Sequence, residues 1–341
     1  MDKELTTGRK QFVTVLGSRS KTTKVTSGIP QGSVLGPLLF IIYVNELPSL
    51  VSSRLAMFAD DTKLYQERTT DEDLEAVQED LRKLEEWSED WILPLNVNKC
   101  HHLYLSKNIP RSKGTLNLNR AAMEVVDEEV DLGVTIDSKL SYHTHIRNKI
   151  KKANSILGII RRSFQYLDDH TFPMLFKSMV RPLLEYGASI WTPHHKYLID
   201  EIESVQRRGT KLLSLTRGLE YEDRLRRLSL PSLLFRRFRG DMIEVYKQLT
   251  GYYDSSMPKL FHLYSDVTHI SSIRGHSKKL FLPRSDSDLL KFHFSRRVIP
   301  AWNSLPELVV SSPNINTFKS RLDKLYKERN LIYTTEPDKL Y

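Results

Sequence analysis

The 341-residue sequence contains a single cysteine, Cys100. One cysteine excludes an intramolecular disulfide and a zinc site built from several cysteines, and it is typical of a reducing compartment. Long apolar runs are also missing, because the longest near the start, Pro37 to Val44, is far shorter than the ~20 residues that span a bilayer. The polar start, Met1 to Glu4, has no apolar segment of a secretory signal. We therefore expect an intracellular protein, in the nucleus or cytoplasm, with no membrane contact and no disulfide partner.

What the sequence does contain is charge, and its distribution is uneven. The chain is 40% hydrophobic and 27% charged, with a net charge of +9, which is typical of a globular protein of about two domains. Glu67–Asp90 has eleven acids and three bases, whereas Arg207–Gly240 has ten bases and three acids, and Ser141–Arg162 has six bases and no acid. Late basic segments indicate a surface for a polyanion, although a solvated helix face is the commoner explanation of any one run.

Apolar periodicity divides the chain into a mixed first part and a helical later part. The predicted elements of the first part are two strands within Lys10–Thr26, a loop over Ser27–Ser33, a buried helix from Gly36-Pro37 to about Leu47, a hairpin of Leu55–Ala59 and Thr62–Tyr65, an amphipathic helix opened by Thr70–Asp73, a strand within Leu93–Leu105 and a strand over Asp131–Ile136. Those of the later part are helices at about 143–165, 171–186, 198–215, 221–228 and 231–250, a loop-like stretch from Gly251 to Leu290, and short helices over Phe292–Trp302 and Thr317–Arg329.

The adjacent acids Asp60 and Asp61, at the tip of the predicted hairpin, are the strongest local indication of chemistry. Neighbouring carboxylates repel each other unless solvent or cations offset the repulsion. Mg²⁺ takes oxygen ligands, usually one or two protein carboxylates with waters and phosphates. Two such ions about 4 Å apart activate the attacking hydroxyl and stabilise the leaving oxygen in nucleotidyl transfer. Taken alone, an Asp-Asp pair at a turn is most often a pair of solvated residues.

The segments around this pair add a family resemblance. Ser27 to Phe40 resembles motif B of reverse transcriptases, Phe58 to Asp61 resembles the FADD form of motif C, Leu95 to Cys100 resembles motif D, and Asp131 to Asp137 resembles the strand around motif E. All four occur in the family's order. The later chain is similar to the C-terminal region of jockey- and CR1-like non-LTR (LINE-type) retrotransposon polymerases, through the stretches His145-Ile146, Phe176–Gly187, Ile202–Arg208 and Trp302–Pro306.

The resemblance implies an RNA-directed DNA polymerase with RNA template and DNA primer as partners and Mg²⁺ as cofactor. Asp60 and Asp61 are then the metal ligands, and Lys99 lies near the departing pyrophosphate. The nucleotide and template pocket is lined by Ser27, Gly28, Pro30, Gln31 and Gly32. Cys100 is expected to pack as a small apolar side chain.

Contacts with the nucleic acid backbone need lysine and arginine side chains on one face. Two basic clusters in the predicted helical region meet this description. The candidate nucleic-acid-binding residues are Arg207, Arg208, Lys211, Arg236, Arg237 and Arg239.

The implied fold class is α+β: a partial polymerase palm at 1–137 with an antiparallel sheet and packed helices, an all-helical thumb-like region at 138–250, and a tail with short helices at 251–341. The family's motif A aspartate lies upstream of motif B, and no apolar strand surrounds Asp2. We therefore expect a truncated enzyme, inactive by itself, with an exposed palm edge open to self-association. Two alternatives stay open: a non-catalytic nucleic-acid-binding remnant that acts through its basic thumb, and an unrelated α+β protein.

Overall fold

A computed structural model describes residues 8–26, 28, 32–105, 114–254, 258–268 and 275–341. The chain divides into two compact units. The first comprises the described residues up to Tyr104 together with 114 to Val126, and the second runs from Asp127 to Tyr341. Three residues predicted to line the nucleotide pocket lie outside the described residues: Ser27, Pro30 and Gln31.

The first unit combines short strands with one long helix. Its strands are β1 (Lys10–Gln11), β2 (Thr14–Val15), β3 (Ser18–Arg19), β4 (Thr23–Lys24), β5 (Arg54–Phe58), β6 (Asp61–Tyr65), β7 (His101–Leu103), β8 (Asn117–Leu118), β9 (Ala121–Ala122) and β10 (Glu124–Val126). Its helices are α1 (Leu35–Val44), α2 (Leu47–Leu50) and α3 (Glu72–Asp90), with a 3₁₀ turn at Val97–Lys99. The pairs β1–β4, β2–β3, β5–β6 and β8–β9 are antiparallel, and β7–β10 is parallel.

The core of the first unit forms where the apolar face of α3 packs against α1 and β8. Leu81, Leu84 and Trp87 are buried there and pack with Val44 and Leu118. The amphipathic stripe of this helix is therefore confirmed.

The helix predicted after Gly36-Pro37 is present as α1, but the prediction that it is buried is wrong. Leu38, Ile41 and Ile42 expose 54%, 57% and 64% of their surface. The segment has no charged residue and is apolar on every side, which is the pattern of a fully covered helix. Within the described residues only one side of α1 is covered.

The second unit is mainly helical. Its helices are α4 (His143–Ser163), α5 (Thr171–Leu175), α6 (Arg181–Glu185), α7 (Ala188–Trp191), α8 (Lys196–Thr210), α9 (Tyr221–Arg227), α10 (Leu233–Leu249), α11 (Tyr264–Thr268), α12 (Asp288–Phe292), α13 (Phe294–Arg297), α14 (Ile299–Asn303), α15 (Glu307–Val310) and α16 (Ile315–Glu328). Phe176–Val180 is a π-helical turn, and Ser214–Thr216 and Pro337–Lys339 are 3₁₀ turns. The antiparallel strands β11 (Glu128–Asp131) and β12 (Val134–Asp137) precede the helices.

Two apolar clusters hold the second unit together. One joins β12 and α4 to α5, α6 and α8, with Ile146, Phe172 and Val205 fully buried. The other surrounds α10, where Phe238 packs with Trp302 and residues of α16. The residues after 258 therefore complete the core around α10.

Among the predicted elements that differ in the structure, two have a local explanation. The strand predicted over Asp131–Ile136 is the hairpin β11–β12, and its turn is Leu132-Gly133, with φ of 45° and 81°. The helix predicted over 171–186 is interrupted by the π-helical turn. Pro182 has no N–H to donate to the preceding turn, which explains why a regular α-helix is not kept there.

The fold is a mixed α/β arrangement dominated by helices, in agreement with the class expected from the sequence. None of the helices in the described ranges is long and apolar enough to cross a membrane.

Candidate active-site hairpin and nucleic-acid interface

Asp60 and Asp61 lie at the tip of the β5–β6 hairpin, as the sequence predicts. The register pairs Phe58 with Asp61, so Ala59 and Asp60 form a two-residue turn. Ala59 has φ of 53°, a left-handed conformation that costs a non-glycine residue ~1–2 kcal/mol. Both aspartates are exposed. The strained turn thus presents two adjacent carboxylates to solvent, a donor set that fits the one or two carboxylates Mg²⁺ usually takes.

A buried carboxylate on α3 anchors the chain just before β5. Asp80 is fully buried and accepts hydrogen bonds from the backbone N–H groups of Ser52 and Ser53, at 2.9 and 2.7 Å. Burial alone raises the pKa of Asp80, but the hydrogen bonds from Ser52 and Ser53 outweigh it and hold that pKa well below its usual value. Asp80 therefore ties the start of the hairpin to the long helix. Sequence reasoning missed it, although its place between Val77 and Leu84 on the apolar stripe was a signal.

Lys99, the other residue predicted for catalysis, makes no described contact with the two aspartates of this hairpin. Lys99 ends the exposed 3₁₀ turn Val97–Lys99, and the described residues show no hydrogen bond or ion pair between it and either aspartate. Cys100, next in the chain, packs against the core of the first unit, and burial raises the pKa of its thiol.

In the predicted nucleotide loop, Gly28 and Gly32 have a backbone conformation that favours glycine. Gly28 and Gly32 have φ of 75° and 81°, and an added Cβ would meet nothing within 4 Å at either. Glycine is therefore required there for its left-handed φ, with no close neighbour in the described chain. Within the described ranges, no group of three or more histidine, cysteine or acidic side chains is arranged to hold a metal ion.

In the second unit, α4 and α8 pack side by side in the same direction. His143 hydrogen-bonds Tyr197 at 2.8 Å, and the Arg147 guanidinium lies 3.8 Å from Glu201. Further along, a Cβ added to Gly209 would lie 3.3 Å from Leu157. The contacts join later residues of α4 to later residues of α8, so the two helices are parallel. Their C-terminal ends therefore lie next to each other.

That shared end is strongly basic. We call the exposed residues Arg161, Arg162, Arg208 and Lys211 the basic end. Arg208 hydrogen-bonds only Ser204 of its own helix, and no acidic partner is described for any of the four. Of the residues predicted from the sequence, the basic end includes Arg208 and Lys211. Arg161 and Arg162 were not predicted individually, and the acid-free segment that holds them was the signal.

Arg207 lies beside the basic end but points elsewhere. Its guanidinium stacks over the Tyr221 ring, 4.9 Å from the ring centre. This cation–π contact fixes the side chain and leaves it half-exposed.

The arginines of α10 are buried or paired within the protein, and their contact with nucleic acid stays a prediction. Arg237 is 1% exposed and lies near the charged groups of Glu203 and Asp241. Arg236 makes a two-point contact with Glu185, at 2.8 and 2.9 Å. Burial therefore closes Arg237 off from solvent.

Arg239 is likewise paired, through two contacts of 2.5 and 2.8 Å with Asp323 of α16. A bidentate pair of this kind is geometrically specific. Arg239 thus links α10 to the C-terminal helix, while its contact with nucleic acid stays a prediction.

Comparison with known proteins identifies the first half of the chain. Residues 3–167 match the family described as reverse transcriptase (RNA-dependent DNA polymerase). This range includes the hairpin that carries Asp60 and Asp61. Residues 3–167 belong to the reverse transcriptase family.

Several curated relatives of this chain are polymerases of non-LTR retrotransposons. It is 29% identical over 223 residues to the RNA-directed DNA polymerase from mobile element jockey of Drosophila funebris, and 26% identical over 220 residues to that of Drosophila melanogaster. It is also 27% identical over 218 residues to the probable RNA-directed DNA polymerase from transposon X-element of Drosophila melanogaster. These matches cover 60–61% of this chain and 24% of each relative, so the chain spans about a quarter of their length. No solved structure matches the chain significantly.

The reverse transcriptase domain also contains the β11–β12 hairpin, which is held by hydrogen bonds with side chains of α4 and with Tyr186, the residue after α6. Tyr186 donates its hydroxyl to the Leu132 carbonyl at 2.8 Å, and the Lys149 ammonium donates to the Gly133 carbonyl at 2.9 Å. His145 accepts a hydrogen bond from the backbone N–H of Thr135 at 3.0 Å. Burial lowers the pKa of His145 to about 4, so the ring stays neutral and keeps its acceptor near pH 7.

Proposed function

We propose that the chain is part of an RNA-directed DNA polymerase in which Asp60 and Asp61 bind Mg²⁺. The observation that carries this proposal is the pair of exposed carboxylates at the β5–β6 tip, within the residues of the reverse transcriptase domain. The names of the curated relatives support the same activity. In this proposal the partners are an RNA template and a DNA primer.

In this proposal, each residue of the candidate active site contacts either the metal ion or the nucleotide. The carboxylates of Asp60 and Asp61 hold the metal, and the adjacent turn keeps them side by side. Bound Mg²⁺ supplies the positive charge that activates a hydroxyl and stabilises a leaving oxygen. Lys99 offers a mobile cation for the departing pyrophosphate. Gly28 and Gly32, with Ser27, Pro30 and Gln31, line the nucleotide and template pocket.

In the same proposal, 1–137 is part of a palm, 138–250 is a thumb and 251–341 is a C-terminal region. The exposed side of α1 and the β5–β6 pair, which has no third strand among the described residues, support a palm that further chain completes. An open strand edge of this kind also favours self-association of the 341-residue chain.

We further propose that these 341 residues do not polymerise DNA by themselves. A two-metal site needs more shared oxygen ligands than the two neighbouring carboxylates of one hairpin. The experiment is extension of a DNA primer on an RNA template with Mg²⁺ or Mn²⁺, using the chain and its Asp60→Asn variant. We expect no nucleotide incorporation from either. Incorporation by the chain that disappears in Asp60→Asn would overturn the inactivity but support the metal role of Asp60.

A second candidate function is binding of nucleic acid without catalysis, and the basic end favours it. Four exposed cations gather where α4 and α8 end, and the described residues offer them no acidic partner. Phosphate contacts of this kind are independent of sequence and weaken steeply with salt, because they release counterions. A helix C-terminus also favours cations by itself, so the basic end needs a binding test.

The test is the affinity for an RNA–DNA hybrid, measured against salt concentration. The variant Arg161→Gln, Arg208→Gln, Lys211→Gln is compared with a control, Lys324→Gln, Lys327→Gln, Lys339→Gln, that removes the same charge from exposed sites elsewhere. We expect the first variant to reduce the salt slope by about 2–3, roughly one per lost phosphate contact, and the control to change it little. Equal curves for both variants would exclude the basic end as the interface.

A further inference from the structure

A series of five aromatic rings lies at the opposite end of the α4–α8 pair from the basic end. The Phe292 ring stacks on His194 with centres 4.0 Å apart and planes 2° apart, and His194 contacts His195 at 3.9 Å. His195 lies nearly parallel to Tyr197 and to His143, at 5.6 and 6.2 Å. We call these five residues the aromatic ribbon.

The aromatic ribbon is open to solvent. His194 and His195 are exposed, and Tyr197 exposes 49% of its surface. Partial burial against its neighbours, with the nearby charge of His195, lowers the pKa of His194, and this favours the uncharged ring. The Lys291 ammonium lies 5.2 Å from the centre of the Phe292 ring, so the accessible stacking faces are those of His194, His195 and Tyr197.

Two cations beside the aromatic ribbon, Arg147 and Lys196, are ion-paired, whereas Lys291 lies over one of its rings. Arg147 lies 3.8 Å from Glu201, and Lys196 lies 3.4 Å from Asp200. The rings therefore offer mainly flat faces for stacking, and Lys291 is the unpaired cation described beside them.

Positive charge continues from the aromatic ribbon to the basic end along α4. The helix has 21 residues, or about 30 Å at 1.5 Å per residue, and it contains no acid. Lys151 and Lys152 are exposed midway, and Ser155 follows on the same face. An extended polyanion bound at the basic end could therefore continue along the positively charged side of α4 and reach the rings.

We propose that the aromatic ribbon is a stacking platform for the unpaired bases of a single-stranded nucleic acid whose backbone follows α4 to the basic end. This inference rests on the proposed nucleic-acid binding of the basic end and adds the form of nucleic acid that is recognised. Unpaired bases can stack on protein rings without regard to sequence, since every base has a flat face. Bases inside a duplex already stack on one another and cannot use the ribbon.

The first test uses the unmodified chain and a single-stranded DNA of about twelve nucleotides that carries 2-aminopurine. Stacking of this base on an aromatic ring quenches its fluorescence. We expect quenching when the labelled base lies near one end of the bound strand and less when it lies near the other, because the aromatic ribbon occupies one end of the path.

The second test compares two double variants that change the same two residues, His195 and Tyr197. His195→Ala with Tyr197→Ala removes two exposed rings, and His195→Phe with Tyr197→Phe keeps two flat faces while losing the polar atoms. Since base stacking on one ring changes affinity by roughly fivefold or more, we expect the alanine variant to bind the single strand at least tenfold more weakly. The phenylalanine variant should stay within about threefold, and hybrid affinity and salt slope should be unchanged in both.

The outcomes separate the two proposals. Salt-dependent hybrid binding with no loss of single-strand affinity in the alanine variant, and no quenching in the chain, would overturn the aromatic ribbon as a platform and leave the basic end intact. Absence of binding to both nucleic acids would overturn both. An equal loss for the alanine and phenylalanine variants would show that the polar atoms act, and would contradict stacking.

Discussion

At the scale of single residues, Asp80 connects the candidate active site to the core. Its carboxylate accepts the N–H groups of Ser52 and Ser53, which precede β5, and the Ser52 hydroxyl at 3.0 Å. Donors that face a buried carboxylate lose their partner when it is replaced, and an unsatisfied buried donor costs ~1–3 kcal/mol. The position of Asp60 and Asp61 therefore depends on a residue well removed from them in sequence.

The first prediction concerns Asp80→Asn. The amide keeps one oxygen but turns an N–H₂ group towards a backbone donor, so we expect the first unit to lose ~2–3 kcal/mol of unfolding free energy. Glu79→Gln, at the neighbouring exposed position, should change stability by less than about 0.5 kcal/mol. Urea unfolding of both variants measures the difference, and equal stabilities would contradict the anchoring role.

The pKa of Asp80 makes a second prediction about pH. Because this pKa lies well below its usual value in the folded chain, the stability it contributes is complete above about pH 4, the unfolded pKa, and is lost as the pH falls further. The unfolding free energy should therefore fall less steeply below pH 4 in Asp80→Asn than in the unmodified chain. Parallel curves of stability against pH would refute this assignment.

Arg239 gives a third residue-scale prediction. Its two contacts with Asp323 hold α10 to α16, so Arg239→Gln should reduce stability by about 1 kcal/mol. Affinity for an RNA–DNA hybrid should change by less than twofold, in contrast to variants of the basic end. A loss of hybrid affinity comparable to that of the basic-end variant would place Arg239 at the interface.

At the scale of elements, the β11–β12 hairpin shows how a turn depends on its glycine. Gly133 has φ of 81°, and a Cβ there would be strained and 3.6 Å from the Tyr186 ring. We expect Gly133→Ala to lower the unfolding free energy of the second unit by ~1–2 kcal/mol. Gly158→Ala, inside α4 where the nearest atom is 3.7 Å away, should instead raise it by ~0.5–1 kcal/mol. Thermal melts of the two variants should shift in opposite directions, and shifts of the same sign would show that φ does not limit the turn.

The elements that the sequence predicted are those with a local cause. The β5–β6 hairpin follows from two acids between apolar stretches, and α4 and α16 follow from regular apolar stripes. The Leu132-Gly133 turn escaped because leucine rarely adopts a positive φ, so the segment was interpreted as one continuous strand. The exposure of α1 escaped as well, since an all-apolar helix indicates burial without indicating what covers it.

The burial of Arg237 follows from its place on the helix, whereas the pairing of its neighbours Arg236 and Arg239 has a longer-range cause. Arg236, Arg237 and Arg239 are neighbours in sequence, but successive helix residues are about 100° apart, so Arg237 shares the face of Leu234 and Asp241. That spacing was visible in the sequence. The partners of Arg236 and Arg239, which lie 51 and 84 residues away, were not.

At the scale of the whole molecule, the C-terminal residues are part of the folded core of the second unit. Trp302 is completely buried and packs with Phe318 of α16, and its indole N–H donates to the Lys278 carbonyl at 2.9 Å. A region expected from the sequence to be a tail with short helices therefore completes the core that α10 begins.

The variant Trp302→Ala tests whether the C-terminal helices and α10 share one core. Removing a buried tryptophan costs ~3–5 kcal/mol, so the second unit should unfold at lower denaturant concentration. The exposed Leu308, replaced by alanine, is the matched control and should change stability by less than about 0.5 kcal/mol. Equal midpoints for the two variants would mean that the C-terminal helices fold apart from α10.

The central claim is that the carboxylates of Asp60 and Asp61 bind a divalent cation, and Mn²⁺ titration followed by electron paramagnetic resonance tests it most directly. The chain is compared with Asp60→Asn plus Asp61→Asn, and with Glu89→Gln plus Asp90→Asn, a neighbouring exposed pair at the end of α3. We predict weak binding that the first variant loses and the second retains. Mn²⁺ binding that is the same in all three proteins would contradict the assignment of the hairpin tip as the metal site.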